Sequence, residues 1–283
     1  MSSIVALLSD IHGNSPALKA VLDDIQDQGG SRVFMLGDLI NGVDPHGCVQ
    51  ILRQWQADNR AELTCLKGNG EAYLLTPERN ALPRQSESWN AEMIHLVDWW
   101  ERHLSAEDME WIRTFQDFVL WNDACLVHDR PTDRLSPESW HISCVEPKYQ
   151  EWFFHSPGLR PDMTDEEWQS LWAYMDENNF SQVFCGHTHI PFFREYEGKL
   201  ICNLGSAGAS LDGDPRPSWV LVAQLPNGAL DVSIRRVDYD FNLINQLIDQ
   251  NPDYYGFNEP GYHEAYKKWF STGIHWKVHM AAQ

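Results

Sequence analysis

Along the first two thirds of the chain, short apolar runs recur between longer amphipathic stretches. The runs are IVALLS from Ile4, VFML from Val33, LTCL from Leu63, CLV from Cys125 and VFC from Val183. Each is too short for a helix and too uniformly apolar for a strand with one wet face, so each reads as a strand buried on both sides. Between the first two runs, Leu18, Val21, Leu22 and Ile25 fall at helical spacing. They predict a helix over about 15–28, opened by Ser15-Pro16 and stopped by Gly29-Gly30. A second helix over about 45–58 separates the strands at 32–37 and 63–67. This β–α–β rhythm implies parallel strands.

Residues 86–118 read as helices, SESWNAEMIHLVDWWERHL followed by SAEDMEWIRTF, the second opened by Ser105 with Asp108. The stretch 164–178 repeats that logic, with Thr164 as its cap. Region 190–237 turns to hairpins, with turns at Glu197-Gly198 and Asn227-Gly228. A helix, FNLINQLIDQ, opens the segment 240–283, which ends rich in aromatics. The expectation is one domain over 1–283, with helical insertions at about 76–122 and 131–180 and a C-terminal extension at about 240–283. The insertions read as a cap beside the site, with Trp99, Trp100, Trp168 and Trp172 forming a lid or wall. The alternative is that these helices cover the sheet and their tryptophans are core or self-association contacts, so a homo-oligomer stays open.

The chemistry sits where the apolar runs end. They are followed by Asp10 and His12, by Asp38, by Asn69, by His128, and by His187 and His189. In α/β sheets the loops at the carboxyl ends of the strands form the ligand crevice. Five strands would therefore deliver three carboxylate or amide oxygens and four imidazoles to one edge, enough for two metal ions sharing a bridge. Each residue has a plainer reading: a cap for Asp10 or Asp38, a turn for His12, a left-handed turn for Asn69, a satisfied buried imidazole for His128. Their joint order argues against all of these at once. The mixture of imidazole and oxygen donors suits Mn, Fe, Zn, Co or Ni better than Ca.

Composition narrows the partners. A net charge of −20 argues against a protein whose main task is holding nucleic acid, since phosphate contacts need Lys and Arg. It does not exclude a small anionic substrate, because two divalent cations dominate a local field. The six cysteines form no C-x-x-C pair, and Cys65, Cys125, Cys185 and Cys202 lie inside apolar runs, which predicts reduced core thiols. No stretch reaches the roughly 18 apolar residues of a membrane span. The first strand starts at Ile4, which leaves no room for a signal peptide, so a cytoplasmic protein is expected.

The ordered set D-x-H, G-D, G-N, a lone His and G-H-x-H resembles the calcineurin-like metallophosphoesterase superfamily. SDIHGNSPAL, GDLINGVDP and NLGSAG bring it closest to the compact bacterial phosphodiesterase branch. The resemblance implies a four-layer α/β/β/α sandwich of two mixed sheets with helical cap insertions. It implies two divalent ions, the first held by Asp10, His12, His189 and Asp38, the second by Asn69, His128, His187 and Asp38. A phosphodiester would be hydrolysed by a hydroxide bridging them, two cations about 3.5–4 Å apart lowering the pKa of the water and clamping phosphate oxygens. The substrate would be a small phosphoester. Alternatives are a phosphomonoesterase or dinucleoside-polyphosphate hydrolase, or a scaffold that binds metal without turning over. Two departures stand out. The family's G-N-H-D/E reads Gly68-Asn69-Gly70-Glu71 here, which removes a general acid and leaves Glu71 to stabilise a helix N-terminus or nothing more. His128-Asp129-Arg130 stands where a small residue commonly follows the His, and Arg130 reads as a phosphate grip or a surface ion pair. His46, His103, His141 and His155 are the candidate replacement acids.

Overall fold

The computed structural model describes residues 4–76, 87–131, 158–224, 230–254 and 261–281. The five apolar runs form β1 (Ile4–Leu8), β2 (Arg32–Met35), β3 (Glu62–Cys65), β5 (Ala124–Val127) and β6 (Gln182–Cys185). They are divided between two five-stranded sheets. The first has the order β10-β9-β1-β2-β3, with β9 (Ser218–Gln224) and β10 (Leu230–Arg236) as an antiparallel hairpin. The second runs β4-β5-β6-β8-β7, with β4 (Phe118–Trp121), β7 (Phe192–Tyr196) and β8 (Lys199–Asn203). Parallel pairing links β1 to β2 to β3, and β5 to β6 to β8, so each group ends at one sheet edge.

Strand alternation sorts the apolar residues into three layers. Val5, Leu7, Phe34, Leu126, Phe184, Cys202, Val220 and Val222 point between the sheets. Their neighbours Ala6, Leu8, Val33, Met35 and Trp219 face outward, where α1 (Ser15–Asp27), α2 (Pro45–Asn59), α3 (Asn69–Leu75) and α4 (Glu87–His103) cover them. The same layer takes in the C-terminal α7 (Phe241–Gln250) and α8 (Tyr262–Thr272). On the second sheet, Cys125, Val127, Val183, Cys185 and Ile201 face α6 (Asp165–Glu177). The result is α/β/β/α, as expected. α5 (Ala106–Ile112) and α9 (Trp276–Ala281) complete the helices named here.

Local expectations meet the structure in detail. Ser105 and Thr164 cap α5 and α6 in reciprocal boxes with Asp108 and Glu167. Glu197 and Gly198, both at positive φ, close the β7–β8 hairpin. The turn at Asn227-Gly228 lies outside the described residues. α1 starts one residue earlier in its capping than Ser15-Pro16 suggested. Asn14 is the cap, its Oδ1 accepting from Ala17 N at 3.1 Å, because its Nδ2 must also reach Gly208 O at 2.7 Å. The helical reading of 86–118 runs too far. Phe118–Trp121 is an edge strand, because Asn122 at φ 56° turns FVLW back onto ACLV.

The tryptophans read as a lid or wall are core instead. Trp99 and Trp100 of α4 are buried against α2, α3 and the first sheet, and Trp168 and Trp172 of α6 against the second. Their large apolar area is most favourably removed from water between a helix and a sheet. The five cysteines among the described residues are buried thiols, and burial pushes Cys65 and Cys202 up, the latter to about 12. No helix among the described residues is long and apolar enough to cross a membrane.

Asp24 joins α1 to the β9–β10 hairpin. It accepts from Trp219 Nε1 at 2.8 Å and from Arg235 Nε and an Nη at 2.9 and 2.8 Å. The Arg235 guanidinium holds its carboxyl below the usual range, with partial burial opposing and the Trp219 bond assisting. Asp24→Ala strands a fully buried indole N–H, and should cost about 2 kcal/mol at neutral pH in urea unfolding. A depressed carboxyl contributes stability above its unfolded pKa of about 3.9 and loses it as pH falls through the folded value. The gap between wild type and variant should therefore narrow in acid, while the share due to the stranded indole N–H remains.

Candidate metal centre

Six of the seven candidate ligands come from loops at the carboxyl ends of β1, β2, β5 and β6, and Asn69, which follows β3, is the first residue of α3. The β1–β2 ladder continues beyond both strands, with Asp10 N donating to Gly37 O and His12 N to Asp38 O, each at 3.0 Å. Five of the seven adopt left-handed backbone: Asp10 (φ 57°), His12 (50°), Asp38 (56°), His187 (71°) and His189 (59°). Non-glycine residues rarely sit there, and such strain clusters at functional sites.

The side chains converge as two groups around Asp38. His189 Nε2 is 3.3 Å and His12 Nε2 3.8 Å from Asp10 Oδ1, and His12 Nε2 is 3.4 Å from Asp38 Oδ2. On the other side, Asn69 Oδ1 lies 3.2 Å from His128 Nε2 and 3.1 Å from His187 Nδ1, and those nitrogens are 3.3 Å apart. His128 Nε2 is 3.7 Å from Asp38 Oδ2 and 4.0 Å from Asp10 Oδ1. The atoms of Asp10, His12 and His189, and those of Asp10, Asp38 and His128, each fall within 4.8 Å of one another. Asp10 Oδ1 and His12 Nε2 are buried without a hydrogen-bond partner. Polar atoms left without a partner out of water are costly, and a cation beside the Asp10 oxygen and the imidazole nitrogen would remove that cost, so the donor set fits divalent metal.

The imidazoles are aimed from behind. His128 Nδ1 meets Leu36 O at 2.7 Å and His189 Nδ1 meets Ala209 O at 2.5 Å, which leaves both Nε2 atoms for the centre. His187 is reversed, with Nδ1 inward and Nε2 3.7 Å from Asp129 Oδ2. Burial opposes charge on Asp10, but His189 and His128 beside it hold its carboxyl well below the usual range. Burial likewise opposes charge on His128, and Asp38 and Asp10 outweigh it, so its pKa is raised.

NLGSAG packs against both ends of the site. Ser206 Oγ donates to Asp10 O at 2.6 Å, and Asn203 Nδ2 donates to Gly186 O and Thr188 Oγ1 behind the G-H-T-H turn. Gly208 lies so close to Ile11 that a Cβ would sit 1.9 Å from Ile11 O.

Glu71 does more than stabilise a helix start. Its fully buried carboxylate accepts from Gly68 N at 2.8 Å at the start of α3, and also from Asp38 N (2.9 Å), Leu39 N (2.9 Å) and Ile40 N (3.3 Å). Three residues thus carry positions whose sequence signal was thin. Glu71 and Asn41, whose Nδ2 donates to Asp38 Oδ2 at 2.8 Å, are polar residues inside otherwise apolar or glycine-rich motifs, and Asp129 stands where a small residue was expected. Arg130, by contrast, makes an ion pair of 3.9 Å with Glu167 on α6 among the described residues. Of the candidate acids, His46 bonds Asp108 at 2.6 Å and His103 stacks on Trp99 at 3.7 Å. His141 and His155 lie outside the described residues.

Comparison with known proteins gives the family and the fold. Residues 4–225 match the calcineurin-like phosphoesterase superfamily domain. An uncharacterized protein of Methanocaldococcus jannaschii is 26% identical over 277 residues, which span 90% of this chain and 97% of that protein. A metallophosphoesterase from Sphaerobacter thermophilus superposes with a TM-score of 0.65 at 19% identity, covering 97% of this chain and 100% of that one. A hypothetical protein from Pyrococcus horikoshii OT3 gives 0.66 at 17% identity, covering 88% and 94%.

Glu71→Ala would leave four buried N–H groups without an acceptor. At about 1–3 kcal/mol for each such group, urea unfolding should show a loss of at least about 3 kcal/mol.

Proposed function

Because this chain belongs to the calcineurin-like phosphoesterase superfamily, we propose that its centre holds two divalent transition-metal ions and hydrolyses a small phosphoester, with diesters preferred. The observation that carries this reading is Asp38 Oδ2 standing between His12 Nε2 at 3.4 Å and His128 Nε2 at 3.7 Å, where one carboxylate can serve two groups of donors. Asp10, His12 and His189 would hold one ion with Asp38, and Asn69, His128 and His187 the other. Bound there, the pair would activate water and neutralise charge on the phosphoryl oxygens.

The chain's own residues supply position. Asp38 faces both groups of donors, Asn69 joins His128 and His187, and Asp10 and His128 are fully buried away from bulk water. Arg130 is assigned to the phosphate's outer oxygens, on the strength of its place two residues after His128 and its buried, unbonded Nε. The preference for diesters rests on position 70. Gly70 offers no acid, and of the candidate acids among the described residues neither His46 nor His103 is free to replace one, which supports a preference for leaving groups of low pKa. The whole chain acts as one domain in this reading, since Ile244, Ile248, Tyr266 and Trp269 of the C-terminal helices join the core under the first sheet.

Elemental analysis after reconstitution with Mn²⁺ should find close to two ions per chain. Asp38→Asn should lose more metal than His12→Ala, because it serves both positions; one ion or fewer in the wild type would sink the proposal. With Mn²⁺, bis-p-nitrophenyl phosphate should turn over faster than the mono ester, and a metal-stripped control should be inert. Alkyl esters should lag aryl esters by the roughly 10²–10⁴-fold that a general acid is worth.

A further inference from the structure

Asn41 and Gly70 compete for one volume. A Cβ on Gly70 would lie 2.7 Å from Asn41 Cγ, 2.9 Å from its Cβ and 3.0 Å from its Nδ2. Gly70 is not among the residues at positive φ, so backbone torsion does not demand glycine there. What excludes a side chain at 70 is the side chain at 41.

Each member of this pair holds one oxygen of Asp38. Asn41 Nδ2 donates to Oδ2 at 2.8 Å, and Gly70 N donates to Oδ1, also at 2.8 Å. Oδ2 is the oxygen that faces both His12 and His128. An aspartate's terminal torsion is broad and nearly two-fold, so a carboxylate with no donors would not choose one aim. The amide orientation is itself determined, since a flip would set Asn41 Oδ1 against Asp38 Oδ2, acceptor against acceptor. In the orientation found, Asn41 Oδ1 is buried with no partner, a cost that the bond to Asp38 must offset.

We propose that Asn41 is a positioning residue that aims Asp38 Oδ2 between the two donor groups, and that glycine stands at 70 to leave it room. The inference rests on the two-ion reading of the site. It has a consequence for the missing acid: a larger side chain at 70, histidine included, would push Asn41 off Asp38 before it could reach a substrate.

The test is Mn²⁺ binding by calorimetry together with electron paramagnetic resonance, which separates exchange-coupled ions sharing a ligand from isolated ones. Wild type with two equivalents should give the coupled spectrum. Asn41→Ala should weaken uptake of the second equivalent by about 10–100-fold and yield the six-line spectrum of isolated Mn²⁺. Gly70→Ala, by crowding Asn41, should do the same. The double variant is built with Asn41→Gly, which removes all three atoms that the added methyl meets, so Gly70→Ala should add no further loss to Asn41→Gly. Asn41→Leu keeps a branched γ-carbon and removes the donor, so it reads the hydrogen bond even where the alanine variant fails to fold; circular dichroism checks each protein. Wild-type affinity and coupling in folded Asn41→Ala or Asn41→Leu would overturn the inference, as would losses that add in the double variant. Wild type that binds one Mn²⁺ or none would instead overturn the two-ion reading.

Discussion

The site depends on backbone held where side chains rarely allow it. Asp10, His12, Asp38, His187 and His189 all sit at φ between 50° and 71°. A single non-glycine residue in that region costs on the order of 1 kcal/mol or more. The surrounding hydrogen bonds over-determine the conformation. The β1–β2 ladder runs on through Asp10 and His12, Gly186 N donates to His128 O, and His187 N donates to Asp10 Oδ2 at 2.9 Å. That last bond ties a loop of the second sheet to a loop of the first, and so fixes the distance between the two donor groups.

The carboxylates divide the labour. Asp10 and Asp38 face the donors, whereas Glu71 turns away and binds backbone. Glu71 is the acceptor for the Asp38–Ile40 turn and for the start of α3, so Asp38 and Asn69 are carried on two segments that share one buried anion. Burial and the nearby Asp38 push the Glu71 carboxyl up, and the N–H bonds from Gly68 and Asp38 pull it back. A ring of backbone donors suits a buried carboxylate better than a salt bridge would, since it brings no second charge out of water.

The outer layers explain the aromatic excess. With 13 tryptophans, the chain could have been expected to display some of them around its site. Trp99, Trp100, Trp168, Trp172, Trp219 and Trp269 are buried instead, between helices and sheets. Trp269 also donates to Ser210 O, beside the Ala209 carbonyl that orients His189. The C-terminal helices therefore brace one edge of the centre, although they lie beyond the region matched to the superfamily domain.

Much of this was legible in the amino-acid order. Short runs with apolar residues on both faces read as buried strands, parallel where a helix lies between two of them, and a residue that ends such a strand has little choice of where to point. The five strands and the meeting of Asp10, His12, Asp38, Asn69, His128, His187 and His189 at one edge follow from that local logic, whereas the four layers followed from the resemblance of the ordered motifs to a known family. What local pattern could not carry was anything depending on two distant segments sharing one space. Phe118–Trp121 became a strand because an edge of β5 was open to it. Glu71 became the anchor of the Asp38 turn across 33 residues of chain. Gly70 is explained by Asn41, which approaches it only when α3 folds back beside β2. Whether a tryptophan lines a site or fills a core is set by which face of its helix meets the sheet, and only the tertiary fold decides that.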